Sequence, residues 1–389
     1  MRNKLNALFA ILYYLNWYPF FITSFVTSGS FVLGVLWGLL WYTTIPSLKK
    51  KPVPSYTRCT ILIALLFIIR IIFYQETESF SYLLFTIASW FGLYFLINSF
   101  DLNHVIYNIF RFKYIMIFCS IIGMVLYTLH YLPVIASWSY SSSGMSDATY
   151  SINSYGLFNV KISNFSDLIF VRSSGWYDEP GSFSFVIALL LAFNYLYLKK
   201  DKVTNILIFG GLVTLSAAHV VISAYYYVFN KFSIKRLISI SFMALIIIIL
   251  QSTLSRNGVA GYVRQFTFDR FESVMEGNDR SRNFNVTLEA AKEYWLTGCN
   301  FQVLLSKDEI SKDSLYFQIA QFGIWGILIY YCFIIYGILK IRNKNDALFI
   351  AALFGMLFFQ RPVYIMPPYL VLIYFLFFER VDTKCLVKL

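Results

Sequence analysis

Apolar runs of bilayer-spanning length recur along this chain, and clusters of lysine and arginine punctuate them. A run of about 18 to 20 apolar residues is what an α-helix needs to cross a hydrocarbon core. The runs leave room for little else, because only 13% of the 389 residues are charged, against roughly 25% in a soluble domain. The expectation is an all-α polytopic membrane protein in which residues 1–389 form a single integral membrane domain.

The basic clusters set the topology. They are Arg2 and Lys4; Lys49, Lys50, Lys51 and Arg58; Arg111 and Lys113; Lys199, Lys200 and Lys202; Lys231, Lys235 and Arg236; Lys340, Arg342 and Lys344; and Arg380, Lys384 and Lys388. Enough apolar sequence separates successive clusters to cross the membrane and return. Cytoplasmic loops collect Lys and Arg, which puts all seven groups inside. Twelve transmembrane helices follow, with both termini inside, at about 5–24, 28–46, 60–74, 80–97, 114–132, 182–198, 203–216, 219–231, 237–253, 314–339, 346–360 and 364–379. The opening M-R-N-K and the apolar stretch after it lack a small-x-small cleavage site, so they read as an uncleaved first span.

Between 203 and 231 two short segments must form a hairpin around Ala217, Ala218 and His219. One long helix there would export the last two basic clusters. Two segments are too long for connectors: 133–181, rich in Ser, Tyr and Asn, and 254–313, which is polar. Both fall outside as large outer loops. Within the second, Val286 to Leu296 has helical spacing, with Gly298 as a C-cap.

The net charge of +12 follows from this topology and calls for no nucleic-acid partner. Five cysteines form no disulfide framework, and no zinc-type ligand spacing occurs. The cations outside the cytoplasmic groups are Lys161, Lys292, Lys307, Lys312 and the arginines 70, 172, 256, 264, 270, 280, 282 and 361. Arginine predominates there. Its guanidinium fork matches phosphate oxygens in a way an ammonium does not, which points to a phosphorylated ligand on the outer face.

Three sites stand out. In R-S-S-G-W-Y-D-E-P-G, from Arg172 to Gly181, an acid capping the next helix and a proline in its first turn would account for Pro180 and one acid. Arg172, the aromatic pair Trp176 and Tyr177, and the pairing of Asp178 with Glu179 then lack a reason. Carboxylate, arginine and sugar-stacking aromatics make a usable site, and a helix N-terminus favours an ionised Glu179 that can accept a proton. Second, Arg264, Arg270, Arg280 and Arg282 lie among Asp269, Glu272, Glu276 and Asp279. Exposed pairs of that kind contribute little, so some of these arginines are available for phosphate. Third, His219 at the hairpin tip is a candidate to face the outer cavity. Arg70, inside an apolar run, is expected to snorkel to the outer interface.

R-S-S-G-W-Y-D-E-P-G, followed at once by a span, resembles the Arg-x-x-Gly-…-Glu-Pro-Gly element of O-antigen polymerases of the Wzy type. D-R-S-R-N-F-N-V-T-L-E-A-A-K-E-Y-W-L-T-G, 279–298, is similar to the arginine-rich outer loop of that superfamily. K-D-S-L-Y-F-Q-I-A-Q-F-G-I-W-G, 312–326, resembles its Asp-x-x-Tyr…Gly-x-x-Gly start of the next span. The chain departs at Leu215-Ser216-Ala217, where the family often has Ser-Arg, and after Gly298, where Gly-x-Gly is common. The outer loop has no histidine of the kind related O-antigen ligases carry.

The resemblance implies a glycosyltransferase of the bacterial cytoplasmic (inner) membrane, its active site facing the periplasm, polymerising undecaprenyl-diphosphate-linked repeat units into O-antigen or capsular polysaccharide. Implied partners are the lipid-linked glycan donor and acceptor, membrane lipid and a chain-length regulator protein; no cofactor or metal is implied. Glu179 and Arg172 would be catalytic, while Arg264, Arg280, Arg282, Asp178, Trp176, His219 and Asp313 would bind diphosphate or sugar. A lipid-linked oligosaccharide flippase and an O-antigen ligase are the alternatives, with a structural scaffold as a third.

Overall fold

The computed structural model describes residues 50–129, 138–143, 149–154, 159–165, 168–177, 179–230, 234–252, 258, 260–261, 279–307, 310, 314–360 and 364–379. The expected spans 5–24 and 28–46 lie outside the described residues, as do Arg264, Asp178 and Asp313. The chain divides into two compact units: residues 1–109 with 284–389, and residues 110–283.

In the first unit, α1 (Pro54–Tyr74) starts on a proline at its first turn, where a missing N–H costs nothing. Tyr56, Cys59, Ile63, Leu66, Phe67 and Arg70 recur every three or four residues and are buried, while Ile61, Leu65, Ile69, Ile72 and Phe73 are exposed. One face packs and the other is an unbroken apolar stripe suited to lipid. A left-handed Gln75 ends α1, and α2 (Thr77–Ser99) follows almost at once and packs along it. The helix α3 (Leu102–Thr128) begins in this unit and continues into the other. Later elements are the end of α8 (Asp279–Glu293), the short α9 (Phe301–Leu305), α10 (Leu315–Tyr330), α11 (Cys332–Leu339), α12 (Lys344–Gln360) and α13 (Pro367–Phe377).

α10 is broken at Gly323, whose φ of 64° is non-helical. A break frees backbone groups that lipid cannot satisfy. Here the chain after α8 satisfies them: Ile324 N donates to Trp295 O at 2.7 Å, and Gln321 O accepts from Cys299 N at 3.2 Å. Gly298 and Gly323, both at positive φ, lie backbone against backbone, leaving no room for a Cβ on either. Gly298 N bonds Tyr294 O at 2.9 Å, so the glycine ends one further turn beyond α8.

Among its described residues the second unit holds the remainder of α3, four strands, four further helical elements and the start of α8. Strands β1 (Trp138–Ser143), β2 (Thr149–Ser154), β3 (Asn159–Phe165) and β4 (Leu168–Gly175) form one antiparallel sheet in sequence order. The segment 133–181, expected as a large outer loop, therefore carries a β-meander, and the other regular elements among the described residues are helical. Val160 and Val171 pack with Met124 of α3 and with Val213. Then come α4 (Pro180–Phe193), extended by a π-turn to Leu198, α5 (Asp201–Leu212), α6 (Ala217–Phe229) and α7 (Ile234–Ser252).

Each of the ten expected spans from 60 onward overlaps a helix among the described residues, though 203–216 is helical only to Leu212 and 364–379 only from Pro367 to Phe377. Five segments are long and apolar enough to cross a membrane: Pro54–Tyr74, Thr77–Asn98, Leu102–Tyr127, Pro180–Leu198 and Leu315–Leu339. The break expected between 203 and 231 exists, at 213–216 rather than at 217–219, with Leu215 at positive φ. Helices α5 and α6 have 12 and 13 residues, or about 18 and 20 Å, well short of a hydrocarbon core of about 30 Å. The expected span starting at 114 begins a dozen residues earlier, at Leu102.

Candidate functional site

In the second unit, strand β4 descends beside α3. Near its middle Val171 packs on Met124; beyond its end, Tyr177 meets Lys113. Those two positions on α3 are 11 residues apart, 124 minus 113, or about 16 Å along the helix axis. The motif from Arg172 to Glu179 is thus recessed along α3, not perched at its end. Non-helical backbone at such depth is tolerated only where protein or a wet cavity surrounds it.

Arg172 is half-buried, and its Nε donates to Thr214 O at 3.1 Å. One residue on, Ser173 N donates to Val213 O at 3.3 Å. The turn between α5 and α6 is therefore bonded to the strand carrying the arginine. Directly across the sheet from Arg172 stands Lys161, only 6% exposed.

Trp176 is half-buried with its ring edge-on to Phe112, centroids 5.0 Å apart, and its indole N–H has no hydrogen-bond partner among the described residues. The Tyr177 ring stacks on Phe183 of α4. Its hydroxyl accepts a hydrogen bond from Lys113, which is 4% exposed and also lies 4.3 Å from the Tyr177 ring centre. Lys113 was expected at a cytoplasmic turn with Arg111. Two residues apart on a helix point in different directions, and Arg111 faces outward while Lys113 turns inward.

Glu179 is the N-cap residue of α4, with extended backbone, and Pro180 opens the helix. Its carbonyl accepts from Ser182 N at 3.1 Å and Phe183 N at 3.3 Å, but its carboxylate makes no capping hydrogen bond. The start of the helix is therefore held by the Glu179 backbone and not by its side chain.

His219 is fully buried. Its ring lies against Gly211, and Nε2 hydrogen-bonds Ile208 O at 3.2 Å. It faces α5 rather than an open outer cavity, and fastens the turn that Thr214 and Arg172 share.

Arg280 and Arg282 sit in the first turn of α8, and Val286 to Glu293 is helical as expected. Arg70 does not snorkel. It is 2% exposed, and Nε and Nη2 donate to Glu76 at 2.8 and 2.5 Å. Nη2 also donates to Cys299 O at 2.6 Å. Glu76 further accepts from Ser79 Oγ at 2.6 Å and Phe301 N at 2.7 Å. This saturated network ties the turn between α1 and α2 to the chain that follows α8. Among the described residues no group of three or more His, Cys, Asp or Glu side chains is placed to hold a metal ion.

Comparison of the chain with protein-family models, curated proteins and solved structures finds no match.

Proposed function

We propose that this chain is a multi-pass glycosyltransferase of a bacterial cytoplasmic membrane, polymerising undecaprenyl-diphosphate-linked repeat units into O-antigen or capsular polysaccharide at the periplasmic face. The observation that carries this reading is Glu179. Its position caps a helix, yet its carboxylate takes no part in capping. An acid at a helix N-terminus thus stands seven residues after an arginine oriented by Thr214 O.

In this mechanism the acceptor hydroxyl oxygen bonds to the anomeric carbon of the donor sugar. The bond from that carbon to the diphosphate breaks, and its electron pair leaves on the diphosphate. The hydroxyl proton passes to the Glu179 carboxylate, a general-base role that needs hydrogen-bond reach in the ternary complex. Arg172 receives the charge growing on the leaving group, with Arg264, Arg280 and Arg282 as further phosphate ligands and Asp178 and Trp176 on the sugars. His219 acts at one remove, by holding the 213–216 turn.

A lipid-linked oligosaccharide transporter is the second reading, favoured by the buried Lys113 within a spanning helix and by the broken α10. Charged residues at mid-depth and interrupted helices are features of transporters. The glycan products of a deletion strain decide. Single repeat units still attached to their carrier at the surface support polymerase, repeats retained on the cytoplasmic face support transport, and long chains never attached support a ligase.

A further inference from the structure

The apolar stripe of α1 ends on two strongly exposed residues, Ile72 and Phe73. At 21 residues α1 is about 31 Å long, close to a hydrocarbon core of about 30 Å, so its last turn stands at one edge of that core. The chain that follows α8 lies at the same edge. Tyr74 Oη donates to Thr297 O at 3.4 Å, and Asn300 Nδ2 donates to Tyr74 O. Trp295, two residues before Thr297, is 55% exposed, and its carbonyl accepts from Ile324 N at the break of α10. Trp325, the next residue, is 65% exposed. Two exposed tryptophans thus flank one backbone contact, level with the last turn of α1.

From that contact the chain runs back along α1. Cys332 Sγ lies 3.7 Å from Cys59 O, and Lys340 Nζ donates to Ser55 Oγ at 3.3 Å, which brings the end of α11 to the first turn of α1. The first half of α10 does not extend this line outward. In a straight helix Gln318 and Tyr331 would stand about 20 Å apart, yet Tyr331 Oη donates to Gln318 Oε1 at 3.0 Å. The half before Gly323 is folded over, and its Phe317 and Ala320 pack with Ala290, Ala291 and Leu304 of α8 and α9.

We propose that Trp295 and Trp325 form an interfacial docking surface for phospholipid, seated among headgroups and ester carbonyls, and that α10 enters the hydrocarbon only at its break. An indole has an apolar body and a polar N–H, and it collects in this layer of a bilayer. The patch continues the lipid-facing stripe of α1, which commits it to one occupant, the membrane surface. Residues 324–339 then make the crossing, over about 24 Å, while 315–322 lie at the interface with the end of α8. This is independent of the polymerase reading. It also takes the broken α10 away from the transporter reading, because the discontinuous helices of transporters meet near the midplane.

The test uses the full chain in phosphatidylcholine nanodiscs, with a nitroxide on a single cysteine introduced as Leu65→Cys, Trp295→Cys or Trp325→Cys in a Cys-less background. Leu65 is exposed near the middle of α1 and serves as the deep reference. Relaxation by oxygen, which concentrates in hydrocarbon, is compared with relaxation by a water-soluble nickel chelate. Oxygen should dominate at 65, and the two should be comparable at 295 and 325. Oxygen dominance at 325 equal to that at 65 would put the break inside the hydrocarbon and overturn the proposal; nickel dominance at both tryptophan positions would put the surface in water and do the same. A second measurement keeps the native cysteines and compares wild type with the double variant Trp295→Phe, Trp325→Phe. The emission lost in the variant is the signal of the pair, and lipids brominated beside their carbonyls should quench it more than lipids brominated at their chain ends. Equal or stronger quenching from the chain ends would also overturn the assignment.

Discussion

Lys113 donates a hydrogen bond to the hydroxyl of Tyr177, 64 residues later, and so joins a spanning helix to the motif that precedes the next one. The amine also contacts Met116 Sδ at 3.7 Å and the faces of Phe112 and Tyr177. A cation among apolar and aromatic groups at this depth is costly and marks a functional position by default.

The pair therefore has an expected stability pattern. Tyr177→Phe should be the least stable variant, because it strands the amine. The double variant Lys113→Met, Tyr177→Phe should melt no lower than wild type, since replacing both partners by apolar groups is close to neutral. Polymer formation should be lost in both. A double variant that melts lower than either single change would make the pair a plain structural bond.

The side of the membrane on which α8 lies is open to chemical labelling. Ala290 and Ala291 are buried, whereas Glu289 and Lys292 are exposed. A single cysteine at position 292 in a Cys-less background should react with a membrane-impermeant thiol reagent in intact spheroplasts, as should one at 150. Reaction at 292 only after lysis would place the arginine-bearing helix in the cytoplasm and remove its phosphates from reach.

Arg70 and Glu76 form a saturated buried pair. Breaking such a pair from one side costs about 3–5 kcal/mol, because the other charge is left behind. Glu76→Gln should lower the melting temperature markedly and reduce the amount of protein in membranes. The exchange Arg70→Glu, Glu76→Arg should not restore it, since Cys299 O and Phe301 N need a donor and an acceptor where they now stand. Recovery in the exchanged protein would reduce the network to simple charge pairing.

Glu293 and Lys307 provide a contrast at the surface, with Lys307 Nζ donating to the carboxylate at 2.6 Å. That hydrogen bond, then one with Tyr294, holds the Glu293 carboxyl below its usual range. A depressed carboxyl contributes stability above its unfolded value and loses it as pH falls through the folded one. Glu293→Gln should thus melt slightly below wild type at pH 7, the gap closing below about pH 4. A gap that persists in acid would mean that the substitution acts through packing.

How far the sequence shows all this depends on which interaction is involved. Helices α1 to α4 and α10 to α13 were legible because apolar runs between basic clusters need no partner to be read. The sheet was not: N-V-K-I-S-N-F alternates only briefly, and L-I-F-V-R-S-S-G runs four apolar residues and then four small or polar ones, with no period of two to read. Lys161 opposite Arg172 is a fact of register, which no single strand reveals. Lys113 left a trace, since Arg111 and Lys113 cannot share a helix face. Glu76 was hidden by the end of α1, which turns the chain back so that a residue six positions on can reach Arg70.

Glu179 is where the two accounts of the motif separate most sharply. An acid at the N-cap ordinarily stabilises its helix by accepting from an N–H of the first turn, and losing that bond costs about 1 kcal/mol. In this protein the first-turn N–H groups of Ser182 and Phe183 are satisfied by the Glu179 carbonyl, and the carboxylate makes no cap bond. Glu179→Gln should therefore leave the melting temperature and the diphosphate affinity close to wild type, because no helix-cap bond is lost with the charge. Its effect should fall on rate: removing a general base costs on the order of 10²–10⁴-fold. At matched membrane expression the product ladder should collapse to one or a few repeat units. A full ladder from Glu179→Gln would move the base to Asp178. A collapsed ladder with a lowered melting temperature would return Glu179 to a structural role. The informative result is the split between intact binding and lost turnover, which a helix cap cannot produce.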